Sequence, residues 1–293
     1  MSNTICLTGH SGYIGSHFVK FLTALGHSPF LIGRKNVRIS AIPKCTTSTL
    51  WNSTRELSKQ LMDLDNPIIV NIAGLFASDH KTADFTQLVE ANFGYSLSIM
   101  EAISDIPNAQ LVNIGSSWEY DDFGRDDPQN LYAQLKACNS NVAKWYAANY
   151  DMKIINLKLN DTFGGNDQRT KLMPTLKRHY NAGSVAQLRY SEQLINLLHI
   201  DDVCEGLLTA AYTTSSLPSK TCETAFLYGN ETLKLSELVK RINSLSSQKL
   251  KAHFQGKSPT EYQLRGVWDQ SPSLNDWKPN MTLDTALEHY FIK

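Results

Sequence analysis

Thr4-Ile5-Cys6-Leu7-Thr8-Gly9-His10-Ser11-Gly12-Tyr13-Ile14-Gly15-Ser16-His17-Phe18 reads as a buried strand that runs through a glycine turn into a helix. Glycines at 9, 12 and 15 suit a tight bend, close approach of the backbone to a pyrophosphate, and close packing of helix on strand. Tyr13, Ile14, Phe18, Phe21, Leu22 and Leu25 lie on one stripe of the helix, with a period of about 3.6. Its first-turn N–H groups therefore face whatever anion sits at the bend, and Gly26 ends it. The stretch is a dinucleotide cradle, with Gly9, Ser11, Gly12, Tyr13, Ile14 and Gly15 as the expected contacts.

Outward from the cradle, Ser28 to Lys35 forms a short apolar run, the second parallel strand. An acidic residue at its end would bind the ribose 2′-hydroxyl of NAD, whereas an arginine accommodates the 2′-phosphate of NADP. The residues there are Arg34 and Lys35, with no carboxylate near, which points to NADP with NAD as the alternative. The run 36–65 is poorer in signal, with a short strand at 46–51 and a polar helix near 55–64.

Strand, helix and strand then alternate. Pro67 to Asn71 is a near-continuous apolar strand, as a doubly covered parallel sheet requires, and Ala73-Gly74 beyond it leaves room for a ligand. A helical pattern from Phe85 to Ile103 is interrupted at Asn92 and Gly94, and the next buried strand ends in Ser116-Ser117. Ligands of open α/β sheets bind beyond the carboxyl ends of strands, so both hydroxyls stand where chemistry is done. A helix over 131–149 carries Tyr132 and Lys136, spaced i and i+4 and hence one above the other. After strand 153–159 comes the turn Asp161 to Gly165. The alternation predicts an α/β, Rossmann-like, doubly wound parallel sheet.

Beyond 165 the rhythm changes to a smaller α/β lid. The predicted elements are a helix at 170–182, strands at 185–190 and 194–199, a helix at 201–214, a strand at 223–228, and helices at 234–246 and 283–291. Residues 1–165 with 194–222 are expected to form the dinucleotide-binding domain, and 166–193 with 223–293 the substrate-binding domain.

The 28 Lys and Arg balance the 28 Asp and Glu, so no global field draws the chain to nucleic acid or an anionic membrane. Five scattered cysteines without a C-x-x-C pair argue against a disulfide framework and a zinc site, and for reduced thiols in a cytoplasmic protein. His199-x-Asp201-Asp202 has ligand types for a metal, but at a helix start the aspartates read as caps, so no metal is expected. Glu119, Asp121 and Asp122 read as loop carboxylates, and Trp145, Tyr146 and Tyr150 as core or dimer packing.

The Gly9-x-x-Gly12-x-x-Gly15 turn, the Ser116/Ser117 strand end and Tyr132-x-x-x-Lys136, in that order, resemble the extended short-chain dehydrogenase/reductases, the NAD-dependent epimerase/dehydratase family. The resemblance continues in Leu159 to Gly165, in Leu198-His199-Ile200-Asp201-Asp202-Val203 and in Trp277-Lys278-Pro279-Asn280. The compact length looks most like small nucleotide-sugar 4-ketoreductases such as CDP-abequose and CDP-paratose synthases. The chain departs from the family's Tyr-Gly-Pro at Phe163-Gly164-Gly165, and from its Arg-Asp at Ile195-Asn196.

The resemblance implies a catalytic set of Ser116, Tyr132 and Lys136, with Ser117 as the neighbouring choice. It implies NADP contacts at Ala73, Gly74, Asn92, Tyr132 and Lys136, and substrate contacts at Ser117, Asp161, Arg169 and Arg265. Lys171 and Arg189 also lie in the lid, where a sugar nucleotide's diphosphate must be neutralised. The activity implied is NADPH-dependent reduction of a 4-keto-6-deoxy sugar nucleotide in polysaccharide precursor synthesis, by a homodimer. The alternatives are a 4-epimerase and a non-catalytic NADP-binding sensor.

Overall fold

In the computed structural model the described residues are 3–34, 47–51, 53–121, 123–257, 272–274 and 277–292; for Arg34 and 47–51 the description covers the backbone alone. Lys35 and Arg265 lie outside them.

Seven parallel strands form the main sheet. They are β1 (Thr4–Thr8), β2 (Phe30–Arg34), β3 (Thr47–Trp51), β4 (Pro67–Asn71), β5 (Ala109–Ser116), β6 (Met152–Leu159) and, later in the chain, β10 (Thr221–Leu227). Their order is β10-β6-β5-β4-β1-β2-β3. The order reverses between β1 and β4, which opens a crevice beyond their carboxyl ends. All eight residues of β5 are buried, because helices cover both faces.

On one face pack α1 (Tyr13–Ala24) and α7 (Ile200–Ser216), with Phe18, Leu22, Val203 and Leu207 in the shared core. On the other lie α2 (Thr54–Met62), α3 (Phe85–Val89), α4 (Tyr95–Ile103) and α5 (Leu131–Asn149), with Leu57, Ile99 and Ala143 in a second core. A single wide turn, Glu90–Gly94, separates α3 from α4. The Asn92 amide there donates to the carbonyls of Leu88 at 3.1 Å and Leu75 at 2.8 Å, so the interruption has a side-chain cause.

The smaller layer has its own core, including Phe163, Leu176, Leu238 and Leu287. It holds β7 (Asp161–Phe163), α6 (Leu172–Ala182), β8 (Val185–Tyr190), β9 (Leu194–His199), β11 (Thr232–Lys234), α8 (Leu235–Leu245), β12 (Lys251–Gly256) and α9 (Leu283–Phe291). The strands pair as β11-β9-β7 and β12-β8.

Two strands belong elsewhere than the sequence suggested. β9, expected with the dinucleotide domain, pairs with β7 and β11. β10, expected largely in the lid, is an edge of the main sheet, with Thr221 opposite Lys153 and Leu227 opposite Leu159. The start of α7 also differs. Its cap is His199, whose Nδ1 accepts the Asp201 N–H at 3.3 Å, while Asp202 is buried and accepts the Asn280 N–H at 2.8 Å.

Candidate active site

Gly9 takes a φ of +67°, and a Cβ there would meet the Ala73 nitrogen at 2.7 Å. A Cβ on Gly15 would sit 2.1 Å from the Gly9 carbonyl oxygen, so α1 reaches the turn only without a side chain there. Gly12 is the N-cap of α1, with no side-chain cap and no acidic residue in the first turn. Its first N–H groups are left for an anion.

A cleft of about 880 Å³ runs from this turn across the ends of β1, β4, β5 and β6. The expected contacts Gly9, Ser11, Gly12, Tyr13, Ile14, Gly15, Ala73 and Gly74 all line it, as do Ser116, Tyr132, Lys136, Asp161 and Arg169. A Cβ on Gly74 would lie 3.0 Å from Asn92 Oδ1 and 3.1 Å from Lys136 Nζ, so that wall stays thin beside the lysine. A bare helix end, thin glycine walls and a lysine beside them fit a dinucleotide.

The Ser116 side chain lies beside that of Tyr132 and works to lower the phenol's pKa. Burial, with the negative charges of Glu119 and Asp161, drives the phenol well above its usual pKa, so it holds its proton. Lys136, one helical turn on, donates to the Ile114 carbonyl at 3.0 Å, and burial pulls its ammonium down to about 8. A neutral phenol, a hydroxyl and a mostly charged ammonium thus share one wall near neutral pH.

Behind that wall lies an arrangement the sequence reading missed. Glu119, taken for a loop carboxylate, is buried, and it forms a buried ion pair with Lys158 of β6. Its Oε1 accepts the Ser116 N–H at 2.8 Å, and its Oε2 accepts from the Ser140 hydroxyl at 3.1 Å. Lys158 Nζ also donates to Ser140 Oγ at 2.5 Å. The legible signal was Lys158 itself, since an ammonium on a strand buried on both faces demands a buried partner.

Elsewhere on the cleft, the Arg169 guanidinium lies 3.8 Å over the Tyr13 ring. Its Nε and Nη2 donate to Asp167 at 2.8 and 2.7 Å, and Nη2 also donates to the Thr162 carbonyl at 2.7 Å. Tyr13 donates to the Gly164 carbonyl at 2.9 Å. Lys171 reaches Asp161 at 3.7 Å and sits 4.1 Å over the Phe76 ring. Phe76 in turn packs edge-on against Trp118 and Tyr132, at 5.5 and 5.3 Å between ring centres. The departure from Tyr-Gly-Pro has a backbone cause: Gly165 has φ of +54°, which a proline ring cannot adopt.

Several expected contacts need correction, and Lys35 and Arg265 lie beyond description. Ser117 does not line the cleft; Trp118 does. Asn92 is absent from the lining as well, because its side chain is engaged by Leu75 and Leu88 and shapes the loop beside Gly74. Arg189 is exposed and pairs with Asp79 at 3.8 Å, away from the cleft lining. Arg34 is placed by its backbone at the end of β2, next to the cleft residues Ile32 and Gly33. His10, not singled out from sequence, lines the cleft beside the Ile32 backbone, and burial lowers its pKa.

Among the described residues no group of three or more His, Cys, Asp and Glu side chains is placed to share a metal ion. None of the described helices is long and apolar enough to cross a membrane.

A CDP-abequose synthase from Yersinia pseudotuberculosis is 29% identical over 238 residues, 79% of this chain and 77% of that protein. A second CDP-abequose synthase, from Salmonella typhimurium, is 23% identical over 220 residues, 74% and 73% of the two chains. The solved structure of UDP-glucuronic acid 4-epimerase from Bacillus cereus, in complex with UDP-glucuronic acid and NAD, has a TM-score of 0.80 at 18% identity, covering 99% of this chain and 98% of that one. The model of the NAD dependent epimerase/dehydratase family matches residues 5–221, which span the cradle, Ser116, Tyr132, Lys136 and α7. With most of its length matched, the chain is an enzyme belonging to the NAD dependent epimerase/dehydratase family.

Proposed function

We propose that the chain is an NADPH-preferring reductase that converts the ketone of a 4-keto-6-deoxy nucleotide-diphosphate sugar to an alcohol, in polysaccharide precursor synthesis. The observation that carries this reading is the shared wall of Ser116, Tyr132 and Lys136 at the end of a glycine cradle. A nicotinamide cofactor, when bound, supplies the hydride. Ser116 donates to the ketone oxygen and Tyr132 delivers the proton to it, while Lys136 provides positive charge beneath the phenol.

The basic end of β2 supports reduction over epimerisation, since a reductase consumes a diffusible NADPH whereas an epimerase recycles a tightly held NAD. Arg34 and Lys35, with no carboxylate beside them, support NADPH. Phe76 and Trp118 offer an apolar wall suited to a deoxy carbon. Arg169 and Lys171 supply charge for the diphosphate, Asp161 orients the sugar, and the CDP-abequose synthase relatives support a deoxysugar nucleotide as substrate. We extend the reading to a homodimer, supported by family likeness and by the exposed Phe85 of α3 and Trp145 of α5.

The test is incubation of the pure protein with NADPH and a panel of 4-keto sugar nucleotides, following NADPH consumption. Oxidation coupled to product supports the reading. Isomerisation without net NADPH loss identifies an epimerase, and cofactor binding without turnover on any member identifies a sensor.

A further inference from the structure

Gly115 lies between Ile114, whose carbonyl takes the Lys136 ammonium, and Ser116. A Cβ on Gly115 would sit 2.4 Å from Glu119 Oε1, 2.7 Å from Lys158 Cδ and 2.8 Å from Lys158 Nζ. The ion pair therefore occupies the volume a side chain on β5 would fill, directly behind the reacting wall. Its contacts run both ways: Oε1 holds the Ser116 N–H, and Oε2 takes the Ser140 hydroxyl, which also contacts the Lys136 carbonyl at 3.1 Å.

We propose that Glu119, anchored by Lys158 and Ser140, is a positioning residue that fixes Ser116 from behind and supplies the negative charge facing the Lys136 ammonium. This rests on the roles given above to Ser116, Tyr132 and Lys136. A purely structural pair would hold β5 to β6, yet those strands are already joined along Ala109–Ser116. Apolar residues of the same volume would do that at no desolvation cost. A charge pair is called for where a neighbouring charge has to be set.

The groups around the pair are few and named. From α5 come Tyr132, Lys136, Ser140 and Lys144; from β6, Lys158; from β10, Cys222; and beside the turn, Tyr120, whose ring lies 5.6 Å from Lys158 Nζ. Toward Lys136, Glu119 favours the charged form, and Lys158 and burial oppose it. Glu119→Gln keeps an acceptor for the Ser116 N–H and removes the charge. Lys158→Met leaves the carboxylate without its counter-ion.

The test is to follow the Lys136 ammonium directly in the full-length protein carrying ¹³C-labelled lysine, by NMR titration, with the signal assigned through Lys136→Met. Glu119→Gln is expected to lower the Lys136 midpoint by about one pH unit, and Lys158→Met to raise it. Midpoints unchanged in both variants overturn the proposal. Where one of the two variants does not fold, the other carries the test by its own direction: a midpoint that moves as stated supports the proposal, and one at the wild-type value overturns it. Undiminished turnover by Tyr132→Phe overturns instead the catalytic reading beneath this one, whatever the titration gives.

Discussion

The Lys136 ammonium donates to the Ile114 carbonyl at 3.0 Å, mooring α5 to β5 two residues before Ser116. The two groups that flank the phenol are thereby fixed to each other before any ligand arrives, an arrangement in which little has to reorganise during reaction.

A pH dependence follows from the burial of that lysine. Burial favours the neutral amine, so the ammonium is present below its pKa of about 8 and lost as pH rises through it. Accordingly, kcat/KM for NADPH should be flat near neutrality and fall about tenfold per pH unit above about 8. A profile that stays flat to the ordinary lysine range of about 10 contradicts this assignment.

Replacing Tyr132 with Phe removes the acid and keeps the ring that packs against Phe76. Turnover should drop by about 10²- to 10⁴-fold. NADPH affinity, read by fluorescence titration, should change little.

Gly15→Ala places a methyl 2.1 Å from the Gly9 carbonyl. Forcing α1 away should cost about 1–3 kcal/mol in urea unfolding. The same shift should weaken NADPH binding, since the first turn of α1 moves with it.

Gly165→Pro, which restores the family's residue, should destabilise rather than stabilise. The proline ring demands φ near about −65°, against +54° here. The expected loss exceeds about 1 kcal/mol in urea unfolding. An unchanged midpoint would show that the turn carries no such constraint.

Arg34→Asp should invert cofactor preference. Loss of a charge-assisted bond to a 2′-phosphate is worth about 1.5–3 kcal/mol, or roughly 10- to 100-fold in kcat/KM for NADPH. NADH should gain, because an acid at this place suits a free ribose 2′-hydroxyl.

Much of this architecture was legible because local signals and long-range packing agree. Helix α5, strands β8 and β9 and helix α9 fall where apolar periodicity and their caps put them, and strand ends delivered Ser116 to the crevice. Sheet membership was less legible. β10 finds its partner in β6, whose first paired residue lies 68 positions earlier, at Lys153 against Thr221. Nothing in a short apolar run encodes that choice. Glu119 was misread for a related reason: on paper it resembles its neighbour Asp121, and the difference is made by Lys158, thirty-nine residues on. Most of the side chains that line the cleft followed from motif and position, while those packed behind them depend on contacts between distant segments.

Among the described residues the chain passes between the main sheet and the smaller layer after β6, after β9 and after β10, is back beside β10 where Ser273 pairs with Phe226, and leaves again for α9. A layer threaded in this way is not a detachable cassette. Recombination that traded the C-terminal half for that of a relative would transplant β10 onto a foreign sheet edge and α7 onto a foreign α1. New sugar preferences are therefore reached more readily by point changes along the crevice than by shuffling halves.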